Sequence, residues 1–186
     1  MRASHFASTL LLAAAACASP ARAQVSLVHP VDKFCWGENV GYFNWRDAGA
    51  PPSPGAQGAR VHTSFLSGFV WGENVGWVNL GDGTPGATGP GGPRYANIEG
   101  TDSGINIDDA TGNLFGLAWG ENIGWVNFDT RAALGPFGQQ ARLDRPARRF
   151  RGYAWAPNIG WINLDDASKF VGLDCAADFN LSLIHI

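Results

Sequence analysis

Apolar and small residues recur along this chain in short alternating runs rather than at helical spacing, and the clearest run comes four times. The string Cys35-Trp36-Gly37-Glu38-Asn39-Val40-Gly41-Tyr42-Phe43-Asn44 returns at 70–79, 118–127 and 154–163. Its leading residues Trp36, Trp71, Trp119 and Trp155 are nearly evenly spaced, with one interval lengthened by an insert. Self-similarity of this kind marks a repeat architecture in which each unit buries its apolar face only against its neighbours.

Differences among the copies carry conformational information. Glu38, Glu73 and Glu121 are replaced by Pro157 in the fourth copy, so this position has φ near about −65° and its amide is not needed. Gly37, Gly72 and Gly120 give way to Ala156, which precedes a proline; they are expected to be extended and to need smallness alone. Gly41, Gly76, Gly124 and Gly160 do not vary, as expected of turn glycines at a left-handed position. Together these predict a four-residue hairpin loop, Glu121 to Gly124 in the third copy, built on a type I turn. Asn39, Asn74, Asn122 and Asn158 are expected to bond locally within that turn.

That loop sets a register in which Gly120 faces Trp125 and Trp119 faces Val126. One face then holds Leu117, Trp119, Val126 and Phe128, matched by Phe34, Trp36, Phe43 and Trp45, by Phe69, Trp71, Val78 and Leu80, and by Tyr153, Trp155, Ile162 and Leu164. Every member is apolar, so this is the expected core face, with Trp36, Trp71, Trp119 and Trp155 as structural core. The second face holds Tyr42, Asn44, Trp77, Asn79, Trp125, Asn127, Trp161 and Asn163, each aromatic covering a small residue of the opposite strand.

Extended candidates at 25–29, 59–65, 104–108 and 141–145 precede the hairpins, and Pro- and Gly-rich links separate the units. The expected fold is all-β: four tandem three-stranded antiparallel meanders, with hairpins at about 34–45, 69–80, 117–128 and 153–164, forming one domain over 24–174. A propeller-like ring or barrel is favoured over an open β-solenoid. Residues 1–23, with Arg2, an apolar run over 6–17 and Ala21-Arg22-Ala23, read as a secretory signal peptide. The apolar run is too short to span a bilayer, so no transmembrane segment is expected in the mature chain. Residues 181–186 are expected to be a sequencing-adapter artefact, and 175–180 the start of a further segment.

A net charge of −3 argues against a nucleic-acid partner, and the basic run of Arg142, Arg145, Arg148, Arg149 and Arg151 is read as strand and turn chemistry. Two cysteines remain after cleavage. In an oxidising compartment Cys35 and Cys175 are a candidate disulfide joining the ends of the domain; alternatively Cys35 is a small core residue, since Val70, Ala118 and Ala154 hold its place in the other copies.

The string Trp119 to Phe128, Trp-Gly-Glu-Asn-Ile-Gly-Trp-Val-Asn-Phe, resembles the tandem repeats of secreted and surface bacterial proteins. That resemblance implies location and repetition and carries over no activity. Cys175 to Asn180 resembles the opening of a dockerin-type calcium repeat, with Asp178 and Asn180 at its first two ligand positions, but stops before the remaining oxygens. Asp102, Asp108 and Asp109 are a further calcium candidate, read first as turn chemistry. No cofactor or resident metal is expected.

For enzymatic roles the signal is poor. His29 and His62 stand in no nucleophile motif, and the repeated glutamates occupy equivalent tips of separate repeats rather than two sides of a cleft. The chain is therefore expected to be a non-enzymatic protein, secreted or at the cell surface, with a structural or interaction role and other surface proteins as partners. The alternative is a carbohydrate-binding module reading polysaccharide through Tyr42, Trp77, Trp125 and Trp161 and the asparagines two residues on.

Overall fold

Each tryptophan motif folds as a hairpin because a short excursion reverses the chain between two strands. In the computed structural model, which describes residues 26–47, 58–98, 100–134 and 139–174, the hairpins are β1 (Val28–Gly37) with β2 (Gly41–Asn44), β4 (Leu66–Gly72) with β5 (Gly76–Gly81), β9 (Leu114–Gly120) with β10 (Gly124–Asn127), and β13 (Tyr153–Ala156) with β14 (Gly160–Asn163). The amides of Val40, Val75, Ile123 and Ile159 donate to the carbonyls of Gly37, Gly72, Gly120 and Ala156 at 3.2–3.3 Å. Gly41, Gly76, Gly124 and Gly160 follow with φ of 85°, 78°, 74° and 82°, a region that penalises any side chain.

These glycines already belong to the ladder. Gly41 pairs with Gly37, Gly76 with Gly72, Gly124 with Gly120 and Gly160 with Ala156, so the loop has three residues where the sequence predicts four. The register moves by one, and because side chains alternate across a strand, the first strand of each hairpin turns over relative to the second. Trp119 therefore stands opposite Trp125 and Ala118 opposite Val126.

The expected placement of Trp36, Trp71, Trp119 and Trp155 in the core is thereby corrected. Trp36, Trp119 and Trp155 are exposed and Trp71 is half-buried, as are the neighbours one period away, with Phe69 exposed and Phe34, Leu117 and Tyr153 half-buried. Buried instead are Cys35, Val70, Ala118 and Ala154 from the first strands, and Phe43, Val78, Val126 and Ile162 from the second. Trp45, Leu80, Phe128 and Leu164 are buried as expected.

The hairpins join edge to edge through β2–β4, β5–β9, β10–β13 and β14–β1 into one closed, eight-stranded antiparallel barrel. An interior of that strand number is only wide enough to be filled by its own side chains. Cys35, Ala118 and Ala154 on their first strands face the larger Phe43, Val126 and Ile162, and Val70 faces Val78, leaving a void of about 20 Å³ with an apolar lining. Val75, Ile123 and Ile159 are buried and Val40 half-buried at the turn end. They explain the small residue beneath them: a Cβ on Gly72 would lie 2.5 Å from Val75 Cγ2, and one on Gly120 2.7 Å from Ile123 Cγ1.

At the other end the repeats diverge. β3 (Arg60–Val61) adds to β4 and β8 (Ile105–Ile107) adds to β9, giving the expected three-stranded meanders in the second and third repeats. In the first, the outer position is filled by β15 (Val171–Leu173), which pairs with β1. The fourth carries the hairpin β11 (Arg142–Asp144) and β12 (Arg149–Arg151), with β12 also pairing with β15. β6 (Ala87–Gly89) and β7 (Gly92–Arg94) form a separate hairpin in the insert, and α1 (Arg131–Leu134) is a single turn. Leu66, Ile105, Leu114, Phe150 and Val171 form the core here, none more than 0% exposed, with Trp45 packed 5.1 Å from Phe150.

Closure is made by backbone pairing of β14 with β1. Cys35 is a free, buried thiol inside the barrel, where burial pushes its pKa up to about 12. It accepts a hydrogen bond from Trp45 Nε1 at 3.1 Å. Of the two roles expected for Cys35, it takes that of small core residue; Cys175 lies outside the described residues, as do the signal-peptide segment and residues 175–186. Among the described residues no helix is long and apolar enough to cross a membrane.

Candidate functional site

The one-residue change of register brings two aromatic sets, expected on opposite faces, onto one. Trp36 pairs across its hairpin with Tyr42, Trp71 with Trp77, Trp119 with Trp125 and Trp155 with Trp161. Ring centroids in the four pairs lie 4.7, 4.9, 4.7 and 4.8 Å apart with interplanar angles of 61–68°, the edge-to-face geometry that aromatic quadrupoles favour. Phe34, Phe69 and Tyr153 extend three of the pairs by further edge contacts.

Between pairs stand the asparagines. Asn44 is opposite Trp71, Asn79 opposite Trp119, Asn127 opposite Trp155 and Asn163 opposite Trp36. Eight aromatic rings, seven indoles and one phenol, thus encircle the barrel as a closed belt, and six of them are 36–46% exposed. Such exposure on rings this large is unusual away from binding surfaces. The eighth tryptophan, Trp45, is in the core.

The belt asparagines are partly committed. The Oδ1 atoms of Asn44, Asn79, Asn127 and Asn163 accept the backbone amides of Arg46, Gly81, Asp129 and Asp165 at 3.0, 2.9, 2.8 and 3.0 Å, which fixes the chain as it leaves each hairpin. The turn asparagines reach further than expected. Asn39 Nδ2 donates to the Ile159 carbonyl, Asn74 to Val40, Asn122 to Val75 and Asn158 to Ile123, at 3.0–3.1 Å. Their bonds are inter-repeat rather than local, and together they form a cyclic relay in which each hairpin holds its neighbour.

Two hollows open on the belt. The larger, about 670 Å³, lies between the second and third hairpins and is lined by Phe69, Trp71, Trp77, Asn79, Trp119, Glu121 and Asn122. A smaller one of about 160 Å³ is lined by Trp36, Tyr42 and Asp166. Of the aromatics expected at a ligand surface, Tyr42, Trp77 and Trp125 are exposed and Trp161 is half-buried; Trp36, Trp71, Trp119 and Trp155 join them. The signal that would have found the second set is steric: four indoles cannot share one level of an eight-stranded interior with Phe43, Val78, Val126 and Ile162.

Elsewhere the candidate chemistry is consumed by structure. Asp108 accepts the Thr111 amide and hydroxyl at 2.8 and 2.7 Å, holding its pKa below the usual value. Asp102 accepts the amides of Ala96 and Gly86, and Asp109 pairs with Arg145. No group of three His, Cys, Asp or Glu able to hold a metal occurs among the described residues. In the basic run, Arg149 pairs with Asp165 and Arg151 bridges Asp144 and Asp165. His62 lies 2.9 Å from Ser67 Oγ, its pKa lowered by burial and by Arg60, but Ser67 is itself 3% exposed and so closed to a substrate.

The class defined by this fold is a closed four-repeat β-barrel with an external aromatic belt. Comparison with family models, with curated proteins and with solved structures finds no match for the chain.

Proposed function

We propose that this chain is a non-enzymatic binding module, exported from the cell, whose aromatic belt engages polysaccharide while the barrel serves as a rigid scaffold. The observation that carries the proposal is the exposure of cross-strand aromatic pairs beside a hollow of about 670 Å³. Pyranose rings present flat C–H faces that pack on indoles, and indoles held by strands and by each other lose little freedom on binding. The pairs are shallow and repeated, which suits a long ligand touching several of them, each contact adding to avidity.

Direct binding tests this. Retention on insoluble and soluble polysaccharides, measured by co-sedimentation and affinity electrophoresis, is expected for the native chain and is expected to fall about 10-fold or more when Trp77 and Trp119 are both replaced by alanine, since one aromatic contact contributes about 1 kcal/mol. Retention unchanged by the double replacement, with the circular dichroism spectrum preserved, would sink the belt as the binding surface. It would leave the scaffold role, in which the same rings pack against other surface proteins.

A further inference from the structure

We infer that the belt selects polysaccharide carrying protonated amines, an amino-sugar polymer with free amino groups. This inference rests on the glycan role proposed above and adds the charge of the ligand.

Within the ring-bearing stretches 34–44, 69–79, 117–127 and 153–163 of the four hairpins, the charged side chains are Glu38, Glu73 and Glu121, all negative, with Asp32 and Lys33 just before the first. All three glutamates are exposed at the turn end, and among the described residues none makes an ion pair. In the larger hollow Glu121 shares the wall with Trp71, Trp77 and Trp119. In the smaller one Asp166, whose Oδ1 accepts the Ser168 amide and hydroxyl at 2.9 and 2.8 Å, accompanies Trp36 and Tyr42. Each hollow therefore joins the negative faces of aromatic rings to one carboxylate and lacks a lining cation, which is the pairing that attracts ammonium groups.

Hydrogen bonding argues in the same direction. A neutral glycan depends on amides and hydroxyls to fix its own hydroxyls, yet in the larger hollow Asn122 Nδ2 is bonded to the Val75 carbonyl and Asn79 Oδ1 accepts the Gly81 amide. What is left there is charge, π surface and the second amide atom of each asparagine, Asn79 Nδ2 and Asn122 Oδ1. The chain itself sets an ammonium against an extension of the belt: Lys33 Nζ lies 5.6 Å from the centre of the Phe34 ring and is paired with Asp47.

The test compares two forms of one polymer, a chitin-type chain in its fully N-acetylated and its extensively deacetylated state, at a pH where the free amines are protonated. Affinity of the full chain is measured at low and at high salt. The deacetylated form is expected to bind more tightly, and only its binding is expected to weaken with salt. The variant E38Q/E73Q/E121Q is expected to lower affinity for the deacetylated form about 8-fold, at about 2-fold for each screened carboxylate, and to leave the acetylated form unchanged. Pro157→Glu, which supplies the fourth carboxylate, is expected to raise affinity for the deacetylated form alone. Equal binding of both forms, unaltered by the triple replacement but reduced by Trp119→Ala, would overturn charge selection while the glycan role stands. Binding insensitive to both the triple replacement and Trp119→Ala would overturn the belt as the glycan surface, and no binding of either form would overturn the glycan role itself.

Discussion

At the turn end of the barrel Asn39, Asn74, Asn122 and Asn158 repeat one bond four times, whereas at the opposite end each hairpin is capped by a different piece of chain. The turn end needs nothing beyond the repeat: a left-handed glycine, a branched residue folded over the interior and an amide reaching the next copy. Its four corners are equivalent, and it leaves the surrounding aromatics free. The far end is where the chain enters, leaves and crosses between repeats, so its apolar layer has to be covered by β3, β8, β11, β12 and β15 individually. Arg149 and Arg151 with Asp144 and Asp165 close its rim. The largest fully buried side chains, Trp45 and Phe150, lie at the irregular end, and the exposed rings are gathered toward the regular one.

Three substitutions sharpen that contrast, and the largest effect belongs to the irregular end. Phe150 is fully buried against Trp45, and Phe150→Ala is expected to destabilise the fold by about 3–5 kcal/mol in urea or guanidinium titration. A loss below about 1 kcal/mol would mean that the far end is not the stabilising layer. At the turn end Asn122→Ala removes one relay bond and is expected to cost about 1 kcal/mol. The same replacement at Asn39, Asn74 or Asn158 is expected to cost an equal amount; four unequal losses would deny the equivalence of the corners.

The smallest effect is one of pH. The hydrogen bond from Arg151, followed by that from the Ala147 amide, holds Asp144 below its ordinary pKa. The folded state then binds this proton less readily than the unfolded chain, so the contribution is complete above about pH 4 and disappears as pH falls through the lower native value. Thermal melts of the native chain below about pH 4 are expected to lose more stability than those of Asp144→Asn. Parallel acid profiles for the two would place the rim network outside the stability of the fold. The carboxylate is partly exposed, so the difference is small.

Much of the fold was legible in the chain. Ala156, as an internal substitution, marked an extended position needing smallness, and the invariant glycines marked the left-handed position, where the backbone places them; Pro157 implied an amide that is not needed, yet in the first copy the Glu38 amide donates to the Trp161 carbonyl at 3.1 Å. The candidate site was half legible. Tyr42, Trp77 and Trp125 stand exposed where a second face was expected, but Trp36, Trp119 and Trp155 were assigned inward and are out. The error has one source: a left-handed glycine can close a loop or begin a ladder, and local sequence does not say which. The relay asparagines were missed as inter-repeat contacts because their partners lie 34 to 120 residues away in the chain.

Sequence alone determined that there are four copies, that each is a β-hairpin, and where its turn and its positive-φ glycine fall, since these follow from steric limits on single residues and their neighbours. Which side of each ribbon faces inward was decided only by closure. Eight strands enclose a fixed, narrow volume that accepts Cys35, Val70, Ala118 and Ala154 opposite Phe43, Val78, Val126 and Ile162 but has no room for four indoles besides. That packing limit is a property of the assembled ring, and it moved these tryptophans out of the interior.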